Sequence, residues 1–170
     1  MATFVTQIGE AFVGDGAHTA HLNTVLGERA GPIEAAWATA LATPRQGHIP
    51  FLTTIQPGVA AKPPTLFVNK APLAGELHSR LTWGAAQAGV ASGVMQAVSE
   101  GIIDRASVDS LLLIACVWVD PGASVEDLVY ENNREATRLA LAAGADNAPG
   151  LDEALAASGQ PFNAFFRTRL

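Results

Sequence analysis

The chain has 170 residues, enough for one domain with a substantial core. Hydrophobic residues make up 49% and charged residues only 15%, which suggests that part of the surface is covered by other subunits. The formal net charge is −6, and no basic run occurs, which excludes an electrostatic grip on nucleic acid or on an anionic membrane.

The N-terminal segment Thr3–Val13 carries β-type residues and ends at the turn triplet Gly14-Asp15-Gly16. It has no basic start followed by an apolar block, so it does not read as a signal peptide. His18–Leu26 alternates, with Ala20, Leu22 and Thr24 on one face and His21, Asn23 and Val25 on the other. Together the two segments read as a hairpin or as adjacent strands. Gly31-Pro32 opens an alanine-rich helix that holds Trp37 and ends before Pro44. Ile49–Ile55 and Thr65–Asn69 read as strands, separated by the turning connection Gln56-Pro57-Gly58 and Lys62-Pro63-Pro64.

Leu73–Ser99 has a helical period interrupted by Gly84, Gly89 and Gly93. A break near Gly84 and close packing at the other two account for glycines that otherwise cost helix stability. Gly101 caps the end. Leu111–Val119 is the most apolar run and reads as a central strand buried on both faces. The lone cysteine, Cys116, lies in it. It rules out internal disulfides, suits a reducing compartment, and reads as an inert buried thiol rather than a nucleophile. Val125–Ala143 reads as an amphipathic helix, with Glu126 and Asp127 early and Arg134 and Arg138 late, matching the helix dipole. Adjacent strands early and helices later make the fold α+β. The tail ends in Phe162, Phe165 and Phe166 beside Arg167 and Arg169. It either docks on a neighbouring subunit or folds back on its own core. No apolar stretch approaches the ~20 residues of a membrane span.

The usual motifs of enzyme chemistry are silent. His18 and His21 lack a second cluster of metal-ligand spacing, and His48 and His78 stand alone. Gly14-Asp15-Gly16 is not a phosphate loop, Gly84–Gly93 lacks the order of a dinucleotide fingerprint, and no nucleophile elbow exists. One local pair carries possible chemistry. His21 and Asn23 stand two apart on a strand and so point to the same face. A histidine there can exchange protons near neutral pH, or it can be a hydrogen-bonded structural residue. Lys70 can bind an anion or a carbonyl, or simply be solvated. Gln87 can read a heterocycle edge, or cap a packing contact.

Five segments in order carry a more specific signal. They are Gly9-Glu10-Ala11-Phe12-Val13-Gly14-Asp15-Gly16 with Ala20-His21-Leu22; Lys62-Pro63-Pro64-Thr65-Leu66 with Asn69-Lys70; Gly84-Ala85-Ala86-Gln87-Ala88-Gly89-Val90-Ala91; Ala97-Val98-Ser99-Glu100-Gly101-Ile102-Ile103; and Asn133-Arg134-Glu135-Ala136-Thr137. In this order they resemble the formaldehyde-activating enzyme family, across roughly residues 3–143. A domain of that kind over residues 1–146 and a tail over 147–170 are the expected organisation.

The resemblance implies an α+β fold of the ribosomal-protein-S5 second-domain type, with a mixed sheet packed with helices. It implies homopentamers with sites between subunits. It implies condensation of formaldehyde with tetrahydromethanopterin, or its dephospho form, to the methylene derivative and water, in the cytoplasm. The pterin is then a co-substrate, and no cofactor is permanently bound. The family's general acid matches His21, and its substrate contacts match Asn23, Leu52, Lys70, Pro72 and Gln87. Three of these surroundings depart from the family pattern. The family has aspartate where Asn23 stands, threonine where Pro72 stands, and histidine where Ala88 stands. A silent paralogue that binds formaldehyde or a reduced pterin is the alternative, and a related condensation with another pterin is a third reading.

Overall fold

The computed structural model describes residues 5–163 and 166–167. Thr3 and Phe4 of the expected first strand, and Phe165 and Arg169 of the tail, lie outside the described residues.

The sequence turns β-type residues into a hairpin first. β1 (Gln7–Val13) and β2 (Ala20–Glu28) pair antiparallel, with Phe12 opposite His21 and Glu10 opposite Asn23. The turn between them contains a short 3-10 segment, and Gly14 and Gly16 supply its positive φ angles. β6 (Thr65–Asn69) and β7 (Leu111–Trp118) add a parallel pair, and β3 (Phe51–Leu52) closes the edge. The strand order is β1-β2-β7-β6-β3, so β7 sits centrally as its apolar run predicts.

One face of this sheet is covered by α3 (Gln87–Ser99) and α4 (Glu126–Ala145). Leu22, Leu26, Phe67, Leu113 and Val117 point into that core with Val90, Val94 and Val129. The two helices approach closely because of glycine. A Cβ on Gly89 would strike the Tyr130 carbonyl, and one on Gly93 the Arg134 carbonyl. Close packing at these positions therefore holds as the spacing predicts. Gly101 ends the helical run with φ at 81°.

Several expectations need correction. The helical course does not break at Gly84. α2 (Gly75–Arg80) continues through a π-helical stretch, Leu81–Ala86, into α3, so the irregularity is a widened turn rather than an end. Ile49–Ile55 is not one strand. β3 belongs to the main sheet, whereas β4 (Thr54–Gln56) forms a small hairpin with β5 (Val59–Ala60). The chain turns away at Thr53, whose N–H reaches the Thr65 carbonyl while its own carbonyl accepts from Ala61. β7 is not buried on both faces throughout: Ile114, Cys116 and Trp118 are half-buried, because among the described residues no helix covers that part of the second face. The arginines of α4 do not complement its C-terminus. The helix runs on to Ala145, and its last turn has no basic residue. Arg138 pairs instead with Glu135 and Glu100, and Arg134 with Glu131.

The second face is only partly roofed. α1 (Pro32–Ala42) lies over its lower end, with Ile33 against Gly27 and the Trp37 indole N–H donating to the Leu113 carbonyl at 3.2 Å. Above α1 the face is open. The tail forms α5 (Leu151–Ala157) and a hairpin of β8 (Phe162–Asn163) and β9 (Phe166–Arg167). Phe162 and Phe166 are exposed, so they do not fold back onto the core.

His18 is a structural anchor. Its Nε2 accepts the N–H groups of Ser124 (3.3 Å) and Val125 (3.1 Å), which are otherwise orphaned at the start of α4. Asn132 in turn donates to the His18 carbonyl. A helix cap is worth about 1 kcal/mol. His18→Ala is therefore expected to lower stability by about that amount in denaturant unfolding, without altering the face that carries His21.

Candidate active site

The open face of the sheet is arranged in ranks, because directly paired residues share a face. One rank runs Phe12, His21, Trp118. The next runs Glu10, Asn23, Cys116, Val68 across β1, β2, β7 and β6. The alternation read from the sequence thus delivers His21 and Asn23 to the same face, away from the helical core. Lys70, one residue past β6, continues the ladder by donating its N–H to the Val117 carbonyl at 2.7 Å. Its side chain reaches back over β7.

The result is a compact polar cluster. Lys70 Nζ donates to Asn23 Oδ1 at 2.7 Å and lies 3.1 Å from His21 Nδ1. An ammonium has only donors, so His21 Nδ1 must be the acceptor. The ring proton of a neutral His21 is then on Nε2, which lies 3.0 Å from a carboxylate oxygen of Glu10. Phe12 stacks on the imidazole with ring centroids 3.8 Å apart and planes 6° from parallel. The chain Glu10–His21–Lys70–Asn23 is therefore continuous, and Phe12 clamps its central ring.

Electrostatics follows from this packing. Burial lowers the His21 pKa, the Lys70 charge lowers it further, and Glu10 opposes both. Burial also lowers the Lys70 pKa, against the pull of Cys116 and Glu10. Cys116 is not a core thiol but a half-buried residue of this face. Burial raises its pKa more than Lys70 lowers it, so it stays a neutral thiol at neutral pH.

Leu52, Pro72 and Gln87 do not join the cluster within one chain. Leu52 is paired with Leu66 on β3, three strands from β2, or about 14 Å at ordinary strand spacing. Gln87 starts α3, and its Oε1 accepts the Thr54 N–H at 2.7 Å, so one end of its amide is tied to the β4 hairpin. Exposed Trp83 and Ile49, with half-buried Phe51, line a shallow apolar cleft. Pro72 is exposed and lies beside Gly47, in a loop that Asn69 holds by donating to the Gly47 and Ala71 carbonyls. Glu10 escaped the sequence reading as a site residue. The signal was present: one residue separates it from Phe12 on a strand that pairs with the one carrying His21. Only the register reveals the diagonal contact.

Among the described residues no group of three His, Cys, Asp or Glu side chains is placed to hold a metal ion, and no helix is long and apolar enough to cross a membrane.

Comparison with known proteins shows the family of the chain. The profile of the formaldehyde-activating enzyme family matches residues 8–166. A 5,6,7,8-tetrahydromethanopterin hydro-lyase from Methanosarcina barkeri is 41% identical over 151 residues, covering 89% of this chain and 85% of that protein. A bifunctional enzyme Fae/Hps from Archaeoglobus fulgidus is 35% identical over 164 residues, covering 96% of this chain but 42% of its own length. A second bifunctional enzyme Fae/Hps, from Methanosphaera stadtmanae, is 36% identical with 37% of its length covered. The chain therefore spans roughly two fifths of the bifunctional relatives and most of the hydro-lyase. With a matching profile over most of its length and a relative this similar, the chain belongs to the formaldehyde-activating enzyme family.

Proposed function

We propose that this protein condenses formaldehyde with tetrahydromethanopterin, or its dephospho form, to give the methylene derivative and water. The observation that carries the reading is the His21–Lys70–Asn23 cluster on an open sheet face, in a chain 41% identical to a tetrahydromethanopterin hydro-lyase.

The chemistry suits such a cluster. A secondary amine of the pterin adds to formaldehyde unaided and gives a carbinolamine. Its hydroxyl leaves as water only when a proton is supplied at that oxygen. The iminium that remains is captured by the second pterin nitrogen, which loses its own proton as the ring closes. A positioned acid accelerates the dehydration by roughly 10²–10⁴-fold. Holding both nitrogens and the one-carbon unit together adds an entropic advantage. His21 is the acid, and Lys70 directs a third N–H, beyond those used on His21 and Asn23, to the substrate oxygen. Asn23, Leu52, Pro72 and Gln87 are the pterin contacts.

Leu52 lies too far across the sheet to meet His21 in the same subunit, and Gln87 is tied to the β4 hairpin beyond it. This supports a site shared between subunits of a homo-oligomer, a pentamer, in which one copy presents His21 and its neighbour Leu52 and Gln87. Ile8, Phe12, Ile55, Val59 and Trp83, all exposed on the single chain, are the apolar groups such contacts would cover. The protein works in the cytoplasm, and the pterin is a co-substrate rather than a resident cofactor.

Asn23 distinguishes this chain from the aspartate pattern of the family. An aspartate there would give Lys70 a charged partner and raise the His21 pKa, making the acid form more abundant. Asn23→Asp is therefore expected to raise the protein-dependent condensation rate severalfold near neutral pH, measured as methylene-pterin formation above the spontaneous reaction. An unchanged rate would mean that the pocket has been redirected to another pterin or aldehyde.

A further inference from the structure

We infer that Glu10 is a positioning residue for the condensation: its carboxylate accepts the Nε2 proton of His21 and, with Lys70 at the opposite nitrogen, fixes the ring with Nδ1 toward Lys70. The inference rests on the reaction proposed above and adds to it a residue outside the contact set.

Three observations support it. The Glu10 carboxylate is 3.0 Å from His21 Nε2. Lys70 Nζ is 3.1 Å from the opposite ring nitrogen. The Phe12 ring, stacked at 3.8 Å, hinders rotation of the imidazole about its own axis. The backbone brings the two within reach: Phe12 pairs with His21 and Glu10 with Asn23, so Glu10 occupies the diagonal position next to His21 on the same face. Diagonal neighbours are within reach of long side chains, and glutamate fits the span.

The consequence concerns where the acidic proton resides. In the resting cluster the proton of the pair is on Lys70, and neutral His21 accepts from it. Transfer across that hydrogen bond gives neutral Lys70 and an imidazolium, with the Nδ1 proton directed at Lys70 Nζ and the Nε2 proton held by the Glu10 carboxylate. Without Glu10 the imidazolium would stand beside Lys70 with no counter-charge. When a departing hydroxyl bound at Lys70 takes the Nδ1 proton, His21 returns to the same neutral tautomer, and the proton released at ring closure restores the Lys70 ammonium. No proton is created or lost: one leaves in the water formed, and the one released by ring closure replaces it. The titratable groups facing His21 are Glu10 from β1 and Lys70 beyond β6, with Cys116 of β7 facing Lys70. Cys116 stays neutral and supplies no competing charge.

The test uses the full-length protein labelled with ¹⁵N-histidine, with the His21 signals assigned by their loss in His21→Gln. In the wild type at pH 8, Nε2 is expected to be protonated and Nδ1 bare. Glu10→Gln keeps the size and a hydrogen-bond acceptor but removes the charge, so the His21 titration midpoint is expected to move to lower pH. In Glu10→Ala Lys70 still favours the Nε2–H tautomer, but the Nε2 proton loses its carboxylate acceptor, so the Nε2 shift is expected to change, the midpoint to fall below that of the wild type, and the condensation rate above background to drop roughly tenfold. In parallel, the alkaline limb of the rate profile is expected to move to lower pH in Glu10→Gln. A His21 whose Nε2 shift and midpoint are the same in all three proteins would overturn the inference, as would a rate profile that drops uniformly without moving. If the spectra behave as expected but the wild type gives no rate above background, the proposed reaction fails while the hold of Glu10 on His21 stands.

Discussion

Replacing His21 by alanine is expected to remove most of the protein-dependent condensation, a loss of about 10²–10⁴-fold. Spontaneous addition of formaldehyde to the amine continues, so the total rate falls only to background. The size of the effect follows from the position of His21. It stands between Lys70 and Glu10, and no other imidazole reaches the cluster: His18 serves the start of α4, His48 bonds the Asn69 carbonyl, and His78 is tied to Ala74 and Val119. A pH signature accompanies the loss. Burial and the Lys70 charge lower the His21 pKa, so its acid form is scarce at neutral pH. The wild-type excess is therefore expected to grow as pH falls toward and below about 6.5, the ordinary histidine value, until the substrate amines themselves are protonated. The stability linkage has the opposite sign. A group whose folded pKa is depressed contributes stability that is present above the unfolded value and lost as pH falls through the folded one. Acid destabilisation should therefore be milder in His21→Ala than in the wild type, a comparison that thermal unfolding at several pH values can make.

The largest expected effect on stability lies one residue from the cluster, at Gly9. This residue points away from the open face, toward α4, and a Cβ added there would overlap the Ala140 carbonyl. The obstacle is backbone of a long helix, so it cannot yield by a rotamer change. Overpacking of this kind typically costs 1–3 kcal/mol and occasionally more. Gly9→Ala is expected to cost about 3 kcal/mol, which lowers the midpoint of thermal unfolding by roughly 6–12 °C for a chain of this length. Activity should fall with it, because displacing β1 from α4 moves Glu10 and Phe12, the adjoining partners of His21. Gly84→Ala is the control. Gly84 is exposed, a Cβ there would meet nothing within 4 Å, and alanine in a helical position should be neutral or stabilising by up to about 1 kcal/mol. If Gly9→Ala melts with the wild type, the close approach of β1 and α4 does not exist as described.

The elements that the sequence expressed through simple periodicity are the ones that formed as expected. Thr65–Asn69 is β6 residue for residue, the Gly31-Pro32 start opens α1, and the alternation around His21 and Asn23 puts both on the uncovered face. The failures have identifiable causes. The π stretch at Leu81–Ala86 keeps the apolar spacing of a helix while altering its hydrogen bonding, and no composition signal marks it. The split of Ile49–Ile55 depends on Thr53 bonding to two different partners, Thr65 and Ala61, which are remote in sequence from the choice. Cys116 was misplaced because an apolar run does not say which of its faces a helix will cover. The site divides in the same way. His21, Asn23 and Lys70 follow from alternation and strand ends, and they meet. Glu10 does not follow, since its contact depends on the register between two strands. Leu52 stood out only through family resemblance, Gln87 also as a side chain able to read a heterocycle edge, and the single chain leaves both outside the cluster.

The most direct measurement is the rate of methylene-tetrahydromethanopterin formation from formaldehyde and tetrahydromethanopterin at neutral pH, as a function of protein concentration. Subtracting the spontaneous rate leaves the quantity of interest. A rise in proportion to wild-type protein, absent for His21→Ala at every concentration, is the predicted result. A wild-type rate that stays at background, whatever the amount of protein added, would contradict it.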